Sequence, residues 1–183
     1  MVAEGGEFWV FAYGSLMWRP GFSFVERHQA LLHGFRRRLC IYSDHYRGTA
    51  QRPGLVLGLD VGGACRGVVY RVSAANSVRA RDYLRARELL GGVYDEQWHA
   101  VELDDARRIE ALCYVARTEH PRYACEMPRE EVLAVVRQGV GTMGANIDYV
   151  LATHDHLMAM GVSDGELAWL AERLRDHPQS HGP

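Results

Sequence analysis

The chain has 183 residues, 48% of them hydrophobic and 24% charged, with a formal net charge of -2. That balance excludes a mainly disordered chain, and the longest apolar runs, such as Phe8 to Tyr13, fall far short of the ~20 residues of a membrane-spanning helix. With an isoelectric point near 6.5, no nucleic-acid partner is expected.

Every basic side chain other than histidine is Arg. There is no Lys, which removes Schiff-base and Walker-type lysine chemistry. Cys40, Cys65, Cys113 and Cys125 form no CxxC pair and read as reduced thiols of a cytoplasmic protein. Met1 to Glu7 is acidic and Gly-rich, unlike an export signal. The expectation is a single domain over 1–183, frayed at 1–7 and 177–183.

In chain order, Phe8 to Tyr13 is aromatic and β-branched and stops at Gly14, so a strand is predicted. His33 to Ser43 alternates as a second strand, followed by a polar stretch from Asp44 to Gly54. Leu55 to Val61 and Cys65 to Val72 flank Gly62-Gly63, which reads as a hairpin turn. The period then changes. Ser73 is a candidate N-cap, and Ala74 to Leu90 carries Val78, Tyr83, Leu84 and Leu89 at helical spacing. Gly91-Gly92 can supply a left-handed C-terminal cap. Gln97 to Leu103 and Ile109 to Arg117 read as strands. Pro128 with Arg-Glu-Glu after it opens a helix. Ala145 to Met160 is helical up to Gly161, and Ser163-Asp-Gly-Glu166 is a capping box for the last helix. Strands first and helices last make the class α+β.

Four places carry chemistry. Tyr13-Gly14-Ser15-Leu16 follows the most hydrophobic strand. A Gly-Ser turn there can aim successive N–H groups at a carboxylate or a developing oxyanion, or be an ordinary turn. Glu88, beside Arg87 in the last helical turn, sits where the helix end is negative. That field pushes its pKa up, as suits a general base, unless Arg85 and Arg87 oppose it; the alternative is a solvated glutamate. Arg36, Arg37 and Arg38, with His45-Tyr-Arg47-Gly48-Thr49, offer guanidinium groups for a substrate carboxylate, or face water. His154 and His156, two residues apart, cannot share a helix face, so no metal site is expected.

Together these pieces resemble the ChaC-type γ-glutamylcyclotransferases over nearly the whole chain. The resemblance rests on Phe-Ala-Tyr13-Gly14-Ser15-Leu16-Met-Trp18-Arg19-Pro20, on His45-Tyr-Arg47-Gly48-Thr49 with Arg52-Pro53-Gly54, and on Cys65-Arg-Gly67-Val-Val-Tyr70. It continues through Tyr83-Leu-Arg-Ala-Arg87-Glu88 and Gly144-Ala-Asn146-Ile-Asp148-Tyr149. Family members often read Gly-Gly-Tyr where this chain has Gly91-Gly92-Val93-Tyr94. The resemblance implies a small mixed β-barrel flanked by helices and a substrate cradle at Val10, Phe11, Ala12, Tyr13, Gly14, Ser15 and Leu16. It also implies a catalytic Glu88 and no cofactor. Arg47, then Arg38, is the candidate partner of a substrate carboxylate, and Tyr149 a pocket wall. The implied reaction cyclises the γ-glutamyl group of glutathione to 5-oxoproline and releases Cys-Gly. The alternatives are other γ-glutamyl amino acids or amines as substrate, or a non-catalytic cation-transport regulator.

Overall fold

The computed structural model describes residues 5–176, so the fraying expected at 1–4 and 177–183 lies outside the described residues. Glu7, expected to fray, instead pairs with Arg71 at 2.5 Å. The chain divides into two compact units. One holds residues up to Arg38 together with Leu57–Tyr123; the other holds Leu39–Val56 together with residues from Ala124 onward.

The class is α+β, and the barrel is closed and mixed. Strands β1 (Phe8–Ala12), β2 (Glu26–Ser43), β3 (Gly54–Val72), β4 (Tyr94–Leu103) and β5 (Arg108–Ala116) run around it in the order β1-β3-β2-β4-β5. β1 is antiparallel to β3 through Phe8↔Val72 to Ala12↔Val68. β4 and β5 are antiparallel along their length, from Tyr94↔Ala116 to Glu102↔Arg108, and β5 closes the ring by running parallel to β1 at Val10↔Leu112.

The hairpin expected at Gly62-Gly63 is not there. β3 is one continuous strand through both glycines, which sit at φ +111° and +70°. The pairing shows what they do instead. β5 runs parallel to β1 and also parallel to β3 at Leu59↔Val115, while β1 is antiparallel to β3 at Val68 to Val72. Both hold only if β3 swings through a large angle between Leu59 and Val68. Left-handed glycines permit that bend, as in a β-bulge. A Gly-Gly pair serves a turn and a bulge equally well, so local sequence could not separate them.

In the first unit, α1 (Ala74–Glu88) buries Ser77, Ala80 and Leu84, whereas Val78, expected on its apolar face, is 62% exposed. Arg81 of α1 lies 5.5 Å from the ring centroids of both Phe8 and Trp98, which ties the helix to β1 and β4. The helix ends at Glu88, two residues before the expected Leu90. Gly91 follows at φ +88°, a left-handed backbone conformation that favours glycine.

The second unit contains α2 (Arg129–Gln138), α3 (Asn146–Ala159) and α4 (Gly165–Arg175), with the short pair β6 (Val140–Gly141) and β7 (Gly144–Ala145). Asn146 is fully buried. Its side chain mimics a neighbouring strand, accepting from Leu55 N at 2.6 Å and donating to Leu55 O at 2.8 Å. The last helix is capped by Asp164 rather than Ser163: the Asp164 carboxylate accepts from Leu167 N at 3.1 Å, and a carboxylate is also favoured at this positive helix end.

Candidate active site

The site is built in the first unit. β1 is sealed: Val10, Phe11 and Ala12 are 0% exposed. Their side chains therefore lie in the core, beneath the point where the chain emerges. At Gly14 the strand gives way to a 3-10 turn, Ser15–Met17, closed by Met17 N donating to Gly14 O at 2.8 Å and Arg19 N to Ser15 O at 2.8 Å. The N–H groups of Ser15 and Leu16, at the start of the turn, have no acceptor within it. Tyr13 and Leu16 are buried while Gly14 and Ser15 are part-exposed. Tyr70 Oη pins the far end by donating to Met17 O at 2.6 Å.

The end of α1 meets this turn through Arg87. Its Nη2 donates to Ser15 Oγ at 2.7 Å, and its Nη1 to Tyr83 Oη at 2.9 Å and Arg19 O at 3.0 Å. Its Nε lies 3.1 Å from Glu88 Oε1. One guanidinium thus joins the Gly-Ser turn to the glutamate. Such a planar fork fixes direction as well as distance.

Glu88 is mostly enclosed, its side chain 17% exposed. Burial pushes its pKa up, and the Arg87 charge and hydrogen bond partly offset that. Of the two arginines expected to oppose the upward shift, only Arg87 faces Glu88. Arg85 turns to Glu96, with contacts of 3.0–3.1 Å to both carboxylate oxygens. Glu96 Oε1 in turn accepts from Tyr114 Oη at 3.0 Å. Burial drives the Tyr114 phenol far up, with Glu96 and Glu88 adding to it. Tyr114 therefore stays a neutral hydrogen-bonding phenol that senses the charge on Glu88. Tyr94 Oη donates to Leu57 O at 2.7 Å.

The other sequence candidates are placed differently. Arg38 is buried and committed: Nε donates to Asp60 Oδ2 at 2.7 Å and Nη2 to Tyr123 Oη at 3.0 Å, while Tyr123 Oη donates to Asp60 Oδ1 at 2.8 Å. This closed triad occupies the charge that a substrate carboxylate would need. Arg47 and Tyr149 are brought together, the guanidinium 5.5 Å from the ring centroid, but in the second unit. There Arg47 Nη1 donates to Met143 O at 2.6 Å and Ala145 O at 3.2 Å, which is work on the backbone.

Sequence reading missed the bridging role of Arg87 and the Tyr114–Glu96 pair. The i, i+4 spacing of Tyr83 and Arg87 signals their contact. Nothing local links Tyr114 to Glu88, since β5 and α1 meet only in the fold.

The chain as a whole is similar to known proteins. The family model described as ChaC-like protein matches residues 8–177. A glutathione-specific gamma-glutamylcyclotransferase of Escherichia coli (strain K12) is 32% identical over 164 residues, covering 90% of this chain and 71% of that protein. Glutathione-specific gamma-glutamylcyclotransferase 1 of Homo sapiens is also 32% identical, covering 91% of this chain and 78% of its own length. In fold, a crystal structure of the yeast cyclotransferase specific to glutathione superposes with a TM-score of 0.84 at 21% identity, covering 96% of this chain and 99% of the other. With that family model spanning residues 8–177, this chain belongs to the ChaC-like family.

Proposed function

We propose a residue-level account of this chain as a glutathione-specific γ-glutamylcyclotransferase, an enzyme that closes the γ-glutamyl group on itself. The α-amine of the substrate attacks its own γ-amide carbonyl carbon. A C–N bond forms to give 5-oxoproline, the original amide C–N bond breaks, and Cys-Gly leaves. Both reacting groups belong to one molecule, so the protein contributes chiefly by holding the ring-closing conformer.

Glu88 is the base. At neutral pH the substrate amine is an ammonium ion, and a carboxylate with a raised pKa takes its proton without being too weak a base. The same proton then passes to the departing nitrogen, and the carboxylate so regenerated takes the second proton, which the ring nitrogen sheds as the lactam forms. The N–H groups of Gly14 and Ser15 face the carbonyl oxygen as it becomes an oxyanion, or hold the α-carboxylate. Arg87 keeps Glu88 and Ser15 in register. The single observation that carries this reading is the Arg87 bridge, 2.7 Å to Ser15 Oγ and 3.1 Å to Glu88 Oε1. Tyr13 and Leu16 complete the cradle, with Val10, Phe11 and Ala12 beneath them.

The substrate is a small molecule, and among the described residues no helix is long and apolar enough to cross a membrane. Cys40, Cys65 and Cys113 are buried thiols outside any disulfide among the described residues, which supports work in the cytoplasm. The test is 5-oxoproline release from glutathione and from γ-glutamyl-alanine. Release from glutathione with little from γ-glutamyl-alanine is the expected result. Equal release from both overturns the glutathione specificity, and tight glutathione binding without release overturns the reaction.

A further inference from the structure

Arg36, Arg37 and Arg38 are consecutive on β2, so alternate side chains leave the strand on opposite faces. Two of them turn to the same carboxylate: Arg38 Nε lies 2.7 Å and Arg36 Nη2 3.8 Å from Asp60 Oδ2. Arg37 goes the other way, into the back of the Gly-Ser turn. It is buried, 8% exposed. Its Nε donates to Tyr13 O at 2.5 Å and its Nη2 to Arg66 O at 2.7 Å, with Met17 Sδ 3.7 Å from Nη2. The guanidinium therefore touches the residue before Gly14 and the last residue of the 3-10 turn, and fastens both to β3 at Arg66.

We infer that Arg37 is the positioning residue of the oxyanion cradle, holding and polarising the peptide group whose N–H faces the substrate. The carbonyl of Tyr13 and the N–H of Gly14 are two ends of one peptide group. A cationic donor on that carbonyl draws electron density toward the oxygen and leaves the N–H a stronger donor, because hydrogen bonds in series reinforce one another away from water. The positive charge, held on Tyr13 O, also favours negative charge building up at the cradle. Because it acts on the developing oxyanion rather than on the resting carbonyl, its contribution appears in kcat more than in KM. The role rests on the reaction proposed above.

The test compares Arg37→Gln and Arg37→Lys with the wild type by steady-state 5-oxoproline release from glutathione, with thermal unfolding measured on the same samples. Arg37→Gln is expected to lose about tenfold or more in kcat, with KM held within about threefold. Arg37→Lys, which keeps the charge but not the fork, is expected to recover part of that loss. A kcat within about twofold of wild type in folded Arg37→Gln overturns the inference. So does a loss carried by KM, or one that merely tracks the unfolded fraction. Where Arg37→Gln does not fold, Arg37→Lys decides alone: reduced kcat at unchanged KM supports the role, and wild-type kcat overturns it. A wild type that releases no 5-oxoproline sinks the proposed function itself, a result distinct from active wild type with indifferent Arg37 variants.

Discussion

Arg38–Asp60 and Arg87–Glu88 are both arginine–carboxylate pairs in the same unit, and they differ in what is left over. Asp60 is sealed: Arg38 holds one oxygen, Tyr123 the other, and its side chain is 5% exposed. Glu88 has Arg87 on Oε1, and its second oxygen has no hydrogen-bond or ion-pair partner among the described residues. A carboxylate bonded at both oxygens and sealed from water is architecture. One that is desolvated yet half-bonded keeps the capacity to accept a proton, and residue type alone does not distinguish the two.

The largest expected effect separates them by activity. Glu88→Gln should lose about 10²-fold or more in 5-oxoproline formation, the range for a positioned acid–base group, while remaining folded. Its stability should not fall at neutral pH. The folded state raises the Glu88 pKa, so the protonated form is favoured on folding. Whatever stability that gives is present at low pH and lost as pH rises through the folded-state value. Removing the ionisable group is therefore neutral or stabilising near pH 7, read as an unchanged or higher Tm.

Arg38→Met should do the reverse. It strands Asp60 as a buried charge, and breaking such a pair by removing one partner costs about 3–5 kcal/mol, visible as a large drop in denaturant midpoint. The folded fraction should keep its kcat. A direct loss of kcat in fully folded Arg38→Met would return Arg38 to the list of substrate ligands.

Next in size is Arg87→Met, which removes the bridge. Arg87 holds the Glu88 pKa down against burial, so its loss should move the acid limb of kcat/KM to higher pH and lower the plateau by about tenfold as Ser15 and Glu88 lose register. A plateau loss without movement of the limb would mean that Arg87 does not act on Glu88. The smallest effect is Arg47→Ala: it should cost stability of about 1–2 kcal/mol through its lost backbone acceptors and leave KM for glutathione within about threefold. A large KM rise would restore Arg47 as a carboxylate partner.

The legible parts of this molecule were those decided by local physics. β1 announced itself by β-branched and aromatic residues and α1 by its double-glycine stop. A carboxylate at a helix C-terminus is out of place electrostatically, which marks Glu88 as a candidate, but local sequence also fits a solvated glutamate, and its enclosure depends on the fold. What could not be read depends on partners far away in sequence. Whether Arg37, Arg38 or Arg47 is free depends on Tyr13, Asp60 and Met143, which only the fold brings near. Gly62-Gly63 bends a strand instead of ending one because β5 must pair with both halves of the sheet closure. Val78 stays exposed because the face of α1 that packs inward is the one carrying Ser77, Ala80 and Leu84.

The most direct test of the central claim, that Glu88 is the base, is the pH profile of kcat/KM for glutathione in the wild type and in Glu88→Gln. The wild-type acid limb should lie above the ordinary glutamate range, in the direction burial pushes Glu88, and the residual Glu88→Gln activity should lack that limb. The same acid limb persisting in Glu88→Gln would contradict the claim.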